Sequence, residues 1–126
     1  MSLAITNNDL LSVAVNAAKA GGGVLLKYAR SGFHVEHKNA INLVTDADHA
    51  AEQCIIDCIG ERYPDHRTLA EERGLNANRS SPYRWIIDPL DGTTNFAHGF
   101  PAYAVSIGVE YRDAPLIGVV YDPTRD

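Results

Sequence analysis

The stretch WIIDPLDGTTNF, from Trp85 to Phe96, constrains the fold more than any other part of the chain. Its apolar start has the composition of a buried strand. Pro89 fixes its own φ angle and forces Asp88 into an extended conformation, so the strand is predicted to end and turn at Asp88. Gly92 then permits a sharp turn, and the paired threonines after it are typical of the start of a helix. The stretch therefore predicts a strand, a tight turn and a short helix in succession.

A long amphipathic helix is predicted near the start of the chain. Between residues 9 and 29, apolar or small residues recur three and four positions apart, and Asn7, Asn8 or Asp9 is a suitable cap. Each glycine in the run Gly21 to Gly23 weakens such a helix by about 1 kcal/mol relative to alanine. We therefore expect another element to pack closely against this glycine run.

A second helix is predicted to start at a cap formed by Thr45 or Asp46 and to end before Pro64. Its apolar face comprises Ala47, Ala51, Cys54, Ile55, Cys58 and Ile59. Its polar residues, expected to point mostly away from the core, are Asp48, His49, Glu52, Gln53 and Asp57. The two cysteines cannot complete a tetrahedral zinc site, and we interpret them as small buried apolar residues.

Short extended runs fill the rest of the chain. The segment FHVEHK alternates in the manner of a half-buried strand. From Thr68 onward, the runs TLA, YRWII, YAVSIGVEY and PLIGVVY predict four strands, and only Arg112 to Ala114 separate the last two, as in a hairpin. Three small residues of YAVSIGVEY, Ala104, Ser106 and Gly108, share one face, which lets another layer approach closely. The predicted fold class is α+β, with two long N-terminal helices packed on a mostly antiparallel sheet.

The charge balance bears on the kind of ligand. The 126 residues carry a net charge of -5, and an acidic surface does not attract nucleic acid. An anionic ligand would therefore need bound cations. The chain has no uninterrupted apolar run of about 18 residues and no signal-peptide pattern at its start, so we expect a cytoplasmic protein without a membrane contact.

Asp88 and Asp91 flank the predicted turn and can converge from its two sides. The carbonyl of Leu90 lies between them, and the amides of Gly92 and Thr93 open the short helix. Magnesium takes a few carboxylates and leaves the rest of its shell to water and phosphate, while helix-terminal amides bind phosphate. Asp, Pro and Gly are also common turn formers, so a plain turn is the alternative interpretation.

Two other acidic pairs lie at predicted element ends. Glu71 and Glu72 follow the run TLA, and Asp46 and Asp48 begin the second helix. Three acidic clusters in such positions indicate a site for more than one metal ion.

The motifs NLVTDAD, LAEERG, WIIDPLDGTTNF and PAYAVSIGVEYRDAPLIGVVYDP, in this order, resemble the inositol monophosphatase family of magnesium-dependent, lithium-sensitive phosphatases. The resemblance covers nearly the whole chain from about Leu10. It implies the first half of a layered α/β sugar-phosphatase fold, with residues 1–126 as the N-terminal part of the domain and the C-terminal part absent. In the family the second half supplies a further metal-binding aspartate, so the resemblance implies that this chain alone is weakly active or inactive.

The resemblance also implies a role for each matching residue. The implied metal ligands, for two or three Mg²⁺ ions, are Glu71, Asp88, the Leu90 carbonyl and Asp91. The implied catalytic residues are Asp48, Thr93 and Glu71. The implied substrate-binding residues are Gly92, Thr93 and Asp91. Asp48 would orient the Thr93 hydroxyl, which would hydrogen-bond the attacking water.

Three further positions match the family less directly. Lys38 matches a lysine that lies near the third metal, and Glu72 matches a supporting acid. Asn42 stands where the family usually has Asp, which affects a supporting contact and no metal ligand.

The implied reaction is hydrolysis of inositol monophosphate, or a related small alcohol or sugar phosphate, by a metal-activated water. The substrates of related phosphatases stay open, namely fructose 1,6-bisphosphate, histidinol phosphate and 3'-phosphoadenosine 5'-phosphate. A non-catalytic partner of the bacterial transcription machinery is the alternative outside enzymes. The family further implies a homodimer for the full-length protein, with no direct nucleic-acid contact.

Overall fold

The computed structural model describes residues 4–38, 43–70, 74–75 and 80–125. Its elements in chain order are α1 (Asn7–Ser31), β1 (Val35–His37), β2 (Leu43–Thr45), α2 (Asp46–Arg62), β3 (Arg67–Ala70), β4 (Gly74–Leu75), β5 (Tyr83–Asp91), α3 (Thr93–Ala97), β6 (Ala104–Tyr111) and β7 (Ala114–Tyr121). One sheet has the strand order β4-β3-β5-β6-β7, and β1 pairs with β2 separately. The β3–β5 pair is parallel and the other described pairs are antiparallel. Helices α1 and α2 pack on each other and on the larger sheet, which confirms the predicted fold class.

Helix α1 begins earlier than predicted, and its cap is Thr6 rather than Asn7, Asn8 or Asp9. The Thr6 hydroxyl accepts a hydrogen bond from the Asp9 amide at 3.1 Å, and the Asp9 carboxylate accepts one from the Thr6 amide at 3.0 Å. This reciprocal pair of hydrogen bonds satisfies two backbone N–H groups at once. Asn7 and Asn8 cannot form such a pair, because neither is followed three residues later by an acidic residue.

By length and hydropathy alone, α1 is apolar enough to cross a membrane, and the expected absence of a membrane contact stays a prediction. Its buried residues are Leu10, Val13, Ala14, Ala17, Ala18, Gly21, Gly22 and Leu25. The helix contacts α2, β6 and β7. A core helix meets the same two criteria as a membrane span, and this buried set accounts for the apolar composition of α1.

Helix α2 has the predicted cap, Thr45, and ends at Arg62, ahead of Pro64. The prediction for its faces is partly wrong. Asp48 and Glu52 are buried, although both were expected to point away from the core, while Cys54 and Cys58 are partly exposed. The reason is that α2 contacts α1 on one side and β5 on another, so its buried arc is wider than a single stripe.

The first strand is also less buried than predicted. All three residues of β1, Val35 to His37, are exposed. Among the described strands, β1 pairs with β2 alone, and a two-stranded sheet does not bury a face unless another layer covers it.

The β6–β7 hairpin is confirmed. Its turn residues Arg112 and Asp113 have positive φ angles of 48° and 69°. Positive φ at both central residues matches the right-handed twist of the flanking strands, so the two strands join without splaying.

A cluster of aromatic rings fixes the end of α2 to β5. His66 is 5% exposed, and its ring stacks between Tyr63 and Tyr83 at centroid distances of 4.4 and 4.6 Å. The Trp85 indole donates a hydrogen bond to Nδ1 of His66 at 2.9 Å. Burial lowers the pKa of the His66 imidazole, which favours the neutral ring, and the Trp85 donor selects the tautomer in which Nδ1 accepts this bond.

The two faces of the larger sheet differ. The helix-side face carries the buried residues Trp85, Ile87, Val105, Ile107 and Val109. On the opposite face, Ile86, Gly108 and Gly118 are neighbours across three strands, Val120 is 75% exposed, and an open groove measures about 590 Å³. Gly108 thus lies on a face that the described residues leave open, as predicted, and the approach of a further layer to it stays a prediction.

The glycine run of α1 is explained by its neighbours, as predicted. A Cβ atom on Gly21 would lie 2.8 Å from the Ile55 side chain of α2, and one on Gly22 would lie 2.5 Å from the Tyr121 ring of β7. A Cβ atom on Gly23 would have nothing within 4 Å. Gly21 and Gly22 therefore allow neighbouring elements to pack closely, whereas no neighbour approaches Gly23 closely enough to require glycine there.

These contacts predict opposite effects for two equivalent substitutions in α1. Gly23→Ala should raise the free energy of unfolding by up to about 1 kcal/mol, because alanine favours the helix and meets no neighbour. Gly22→Ala should lower it by about 1–3 kcal/mol, because the Tyr121 ring must move. Urea denaturation of the two variants measures both values. Stabilisation of similar size in both would show that α1 does not pack against Tyr121 in this way.

Candidate functional site

The functional site lies where β5 ends. β5 continues to Asp91, so the prediction that it ends at Asp88 is wrong. Asp88 pairs with Ser106 of β6, and Asp91 pairs with Ala104. The paired positions are three residues apart in β5 but only two residues apart in β6. β5 therefore contains one extra residue, which is a β-bulge. Pro89 lies inside this irregular segment, where its missing N–H costs no regular ladder bond.

The bulge decides which way the two aspartates face. In a regular strand, residues three apart point to opposite faces of the sheet. Ser106 and Ala104 are two apart and share a face of β6, and the extra residue in β5 brings their partners Asp88 and Asp91 to one side. Both aspartates line the same pocket, in agreement with the predicted convergence. The separation that a shared metal ion requires stays a prediction.

The pocket has a volume of about 370 Å³. Its lining residues are Lys38, Leu43, Asp88, Leu90, Asp91, Gly92, Thr93, Thr94 and Asn95. Lys38 lies at the site, as the sequence resemblance implies, and supplies a positive charge beside the two carboxylates. Leu43, Thr94 and Asn95 were not predicted as site residues. Asn95 donates a hydrogen bond to the Ala102 carbonyl at 2.8 Å. The sequence feature that could have identified Asn95 as a site residue is its position three residues after Gly92, in the first turn of α3.

Gly92 makes the turn from β5 into α3. Its φ and ψ angles are 94° and 36°, and a Cβ atom there would lie 2.9 Å from the Ala102 carbonyl oxygen. Glycine is required both by conformation and by space. The Phe96 amide donates to the Gly92 carbonyl at 3.0 Å, so the amides of the preceding α3 residues, from Thr93 to Asn95, have no partner within the helix. These residues line the pocket.

Asp48 connects the start of α2 to this turn. The residue is 3% exposed. Its Oδ1 accepts hydrogen bonds from the Thr45 amide at 2.7 Å and from the Thr45 hydroxyl at 2.6 Å. Its Oδ2 accepts one from the Thr93 hydroxyl at 3.0 Å. The predicted hydrogen bond between Asp48 and Thr93 is thus present, whereas the catalytic roles of both residues stay predictions.

The Thr93 hydroxyl has one hydrogen and two acceptors within reach. The second acceptor is the Leu90 carbonyl, at 3.1 Å. A hydrogen bond to an ionised carboxylate is about twice as strong as one to a neutral group, so the hydrogen belongs mainly to Asp48. As a result, the Leu90 carbonyl keeps its lone pairs for another partner, and the lone pairs of the Thr93 oxygen can accept a hydrogen from water.

Asp88 is oriented by the backbone of its own turn. The Leu90 amide donates a hydrogen bond to Oδ1 of Asp88 at 3.2 Å. Such a side-chain bond to the amide two residues later is the usual Asx turn. It holds one carboxylate oxygen inside the turn.

Part of the predicted ligand set cannot be placed. Glu71, Glu72 and Asn42 lie outside the described residues. Across residues 4–38, 43–70, 74–75 and 80–125, no three His, Cys, Asp or Glu side chains are close enough together to hold one metal ion. The described part of the site therefore offers Asp88, Asp91 and backbone oxygen, and a third carboxylate would have to come from elsewhere.

A second cleft adjoins the pocket. It has a volume of about 400 Å³ and shares Asp91, Gly92 and Asn95 with the first. Its far wall includes Asp122 and Arg125, which form an ion pair at 3.0 Å. The hydroxyl of Thr124 lowers the pKa of the Asp122 carboxyl by hydrogen bonding.

Comparison with known proteins finds relatives over nearly the whole chain. The model of the inositol monophosphatase family matches residues 6–126. An inositol monophosphatase of Mesembryanthemum crystallinum is 42% identical, over 98% of this chain and 47% of its own length. The Nus factor SuhB of Pasteurella multocida is 40% identical, over 94% of this chain and 45% of its own. The chain spans about half the length of these curated relatives.

A solved structure shows the same fold. The extragenic suppressor protein suhB of Bartonella henselae superposes with a TM-score of 0.88 at 36% identity. The match covers 93% of this chain and 46% of that one.

The hydrogen bond between Asp48 and Thr93 predicts an effect on stability. Thr93→Val should lower the free energy of unfolding by about 1–3 kcal/mol, because an oxygen of the buried Asp48 carboxylate loses its donor. Thr94→Val is the matched control: Thr94 is exposed, and the change should stay within about 0.5 kcal/mol. Thr93→Ser keeps the hydroxyl and should recover most of the loss. Equal unfolding energies for Thr93→Val and Thr94→Val would contradict the bond.

Proposed function

We propose, because the chain belongs to the inositol monophosphatase family, that it supplies the Asp88 and Asp91 side of a magnesium-dependent phosphomonoesterase site. The proposed substrate is inositol monophosphate or a related small alcohol or sugar phosphate. Members of the family are phosphatases, which places the chain among hydrolases at that level. The observation that carries the finer proposal is the bulge in β5, which turns Asp88 and Asp91 to one pocket beside Gly92 and Thr93.

The donor atoms at this pocket fit magnesium. Mg²⁺ prefers hard oxygen ligands, with one or two carboxylates and the remainder from water and phosphate. Asp88, Asp91 and the Leu90 carbonyl are such donors, and Glu71 is proposed to add a further carboxylate. The proposed number of ions in a complete site is two or three. When bound, magnesium would stabilise negative charge on the phosphate oxygens and the leaving oxygen.

The chain's own residues have separate tasks in this proposal. The Thr93 oxygen accepts a hydrogen from the attacking water, and Asp48 holds that oxygen in place by taking its hydrogen. The amides at the start of α3 face the phosphate, because they have no partner in the helix. Lys38 lowers the repulsion between the phosphate and the two aspartates. No covalent intermediate with the protein is required.

The second cleft is proposed to hold the alcohol part of the ester. It adjoins the pocket at Asp91 and contains hydrogen-bonding side chains that are paired with each other, Asp122 and Arg125. Both side chains reach the surface, with exposed fractions of 31% for Asp122 and 78% for Arg125, so a neutral polyol can exchange hydrogen bonds with them without burying a charge. This favours a sugar or inositol phosphate over an aromatic phosphate ester.

The proposal assigns the chain a partial site. Glu71, Asp88, the Leu90 carbonyl and Asp91 would supply most of one magnesium shell, and the curated relatives are about twice as long as the chain. We therefore propose that the 126 residues alone hydrolyse phosphate esters slowly or not at all, and that further polypeptide completes the site. A cytoplasmic location and a homodimer belong to the same proposal.

A second candidate function follows from the names of some relatives. The Pasteurella relative is called Nus factor SuhB, which motivates an alternative role as a protein partner in transcription. The repulsion between Asp88 and Asp91 argues for the phosphatase, since an adaptor has no use for two carboxylates turned to one pocket. Loss of magnesium binding with retention of partner binding, in the same variant, would separate the two functions.

The proposal predicts that magnesium stabilises the chain through Asp88. Millimolar Mg²⁺ should raise the melting temperature of the wild type, because a ligand that binds only the folded state stabilises it. Asp88→Asn should lose this increase while melting at or above the wild-type temperature without magnesium, because the repulsion with Asp91 is relieved. Asp113→Asn is the control, since it removes a carboxylate that is 83% exposed in the β6–β7 turn.

Activity is measured as phosphate release from a panel of alcohol and sugar phosphates, with and without magnesium. The assay compares this chain with one extended by the remaining half of the Mesembryanthemum relative. We expect release only with magnesium, faster from the extended chain, and abolished by Asp88→Asn in that chain. Wild-type rates in the Asp88→Asn variant at saturating magnesium would remove Asp88 from the mechanism.

A further inference from the structure

Two thiols lie side by side on α2 and take no part in the pocket. Cys54 and Cys58 are the only cysteines of the chain, and both are free and partly exposed. Residues four apart on a helix are neighbours on one face. Neither cysteine lines the pocket that contains Asp88 and Asp91.

The spacing of the two thiols favours a bridging atom over a direct bond. Cβ atoms four residues apart on a helix are about 5–6 Å from each other. A disulfide needs a Cβ to Cβ distance of about 3.5–4.5 Å. A helix that stays intact therefore holds the sulfurs too far apart for a disulfide, but close enough for one atom to bond to both.

The charges around the thiols decide what kind of atom fits. Burial raises the pKa of the Cys58 thiol, and the neighbouring Cys54, Glu61 and Asp57 raise it further. Gln53 holds the Asp57 carboxylate by a hydrogen bond of 2.7 Å. A partly buried, acidic setting disfavours any product with an additional negative charge. A complex of two thiolates with a monovalent metal ion carries a net negative charge. A complex of two thiolates with an atom that forms a neutral bis-thiolate carries no net charge.

We propose that Cys54 and Cys58 form a dithiol site for a monosubstituted trivalent arsenical. The arsenic atom of an oxide R–As=O bonds to both sulfurs, the two thiol hydrogens leave with the oxygen as one water molecule, and no atom changes its oxidation state. The product R–As(S–Cys)₂ is uncharged. Zinc does not suit the site, because it needs four ligands and the described part of the chain offers no cluster of three His, Cys, Asp or Glu side chains for one ion.

The test uses phenylarsine oxide and the full 126-residue chain. Intact mass spectrometry should show one arsenical per chain, with the loss of one water, and the complex should survive an excess of a monothiol such as 2-mercaptoethanol. Cys54→Ser and Cys58→Ser should each weaken binding by about 100-fold or more, because the second bond is then no longer intramolecular. Far-UV circular dichroism should show that α2 stays helical in the complex.

A variant with two thiols in the wrong register serves as the matched control. Cys54→Ser combined with Gln53→Cys keeps the number of cysteines but places them five apart, on different faces of α2. It should bind no better than the single-cysteine variants. Equal affinity in any of these variants, a complex of one arsenical with two chains, or a loss of helicity on binding would overturn the proposal.

Discussion

One carboxylate, that of Asp48, ties the site to the rest of the fold. It caps α2 through Thr45 and takes the hydroxyl hydrogen of Thr93, a residue 45 positions further along the chain. The start of α2 and the start of α3 are therefore fixed by the same group. Because Asp48 is almost fully buried, losing the Thr93 hydroxyl would leave Oδ2 of its carboxylate without this donor. The geometry around Thr93 thus depends on the correct packing of α2 against the sheet.

The second constraint is electrostatic. The bulge in β5 turns Asp88 and Asp91 to one pocket, although the chain as a whole carries a net charge of -5. Placing like charges together costs free energy unless a cation or a proton compensates. Lys38 compensates in part. Under the proposed function, a divalent cation bound at this pocket would offset the repulsion and stabilise the fold.

Much of this arrangement could be predicted from the sequence, because local chemistry dictates it. The cap at Thr45, the two helices, the β6–β7 hairpin and the start of α3 after Gly92 each depend on residues close together in the chain. The end of β5 was predicted wrongly, since its bulge arises from pairing with Ser106 and Ala104 of β6. The burial of Asp48 was missed for a similar reason: the partner that makes it tolerable, Thr93, lies in a different element. Long-range pairing, more than propensity, decided both features.

The most direct test of this account locates a divalent cation on the chain. Mn²⁺ accepts the same oxygen ligands as magnesium and broadens nearby NMR signals. In a ¹⁵N-labelled sample with a small amount of Mn²⁺, the amide signals of Asp91, Gly92 and Thr93 should broaden first. Signals near exposed acids elsewhere, such as Asp57 and Asp113, should persist. Broadening that starts at those surface acids, or that spares the segment from Asp88 to Thr93, would contradict the claim that the bulge in β5 builds a cation site.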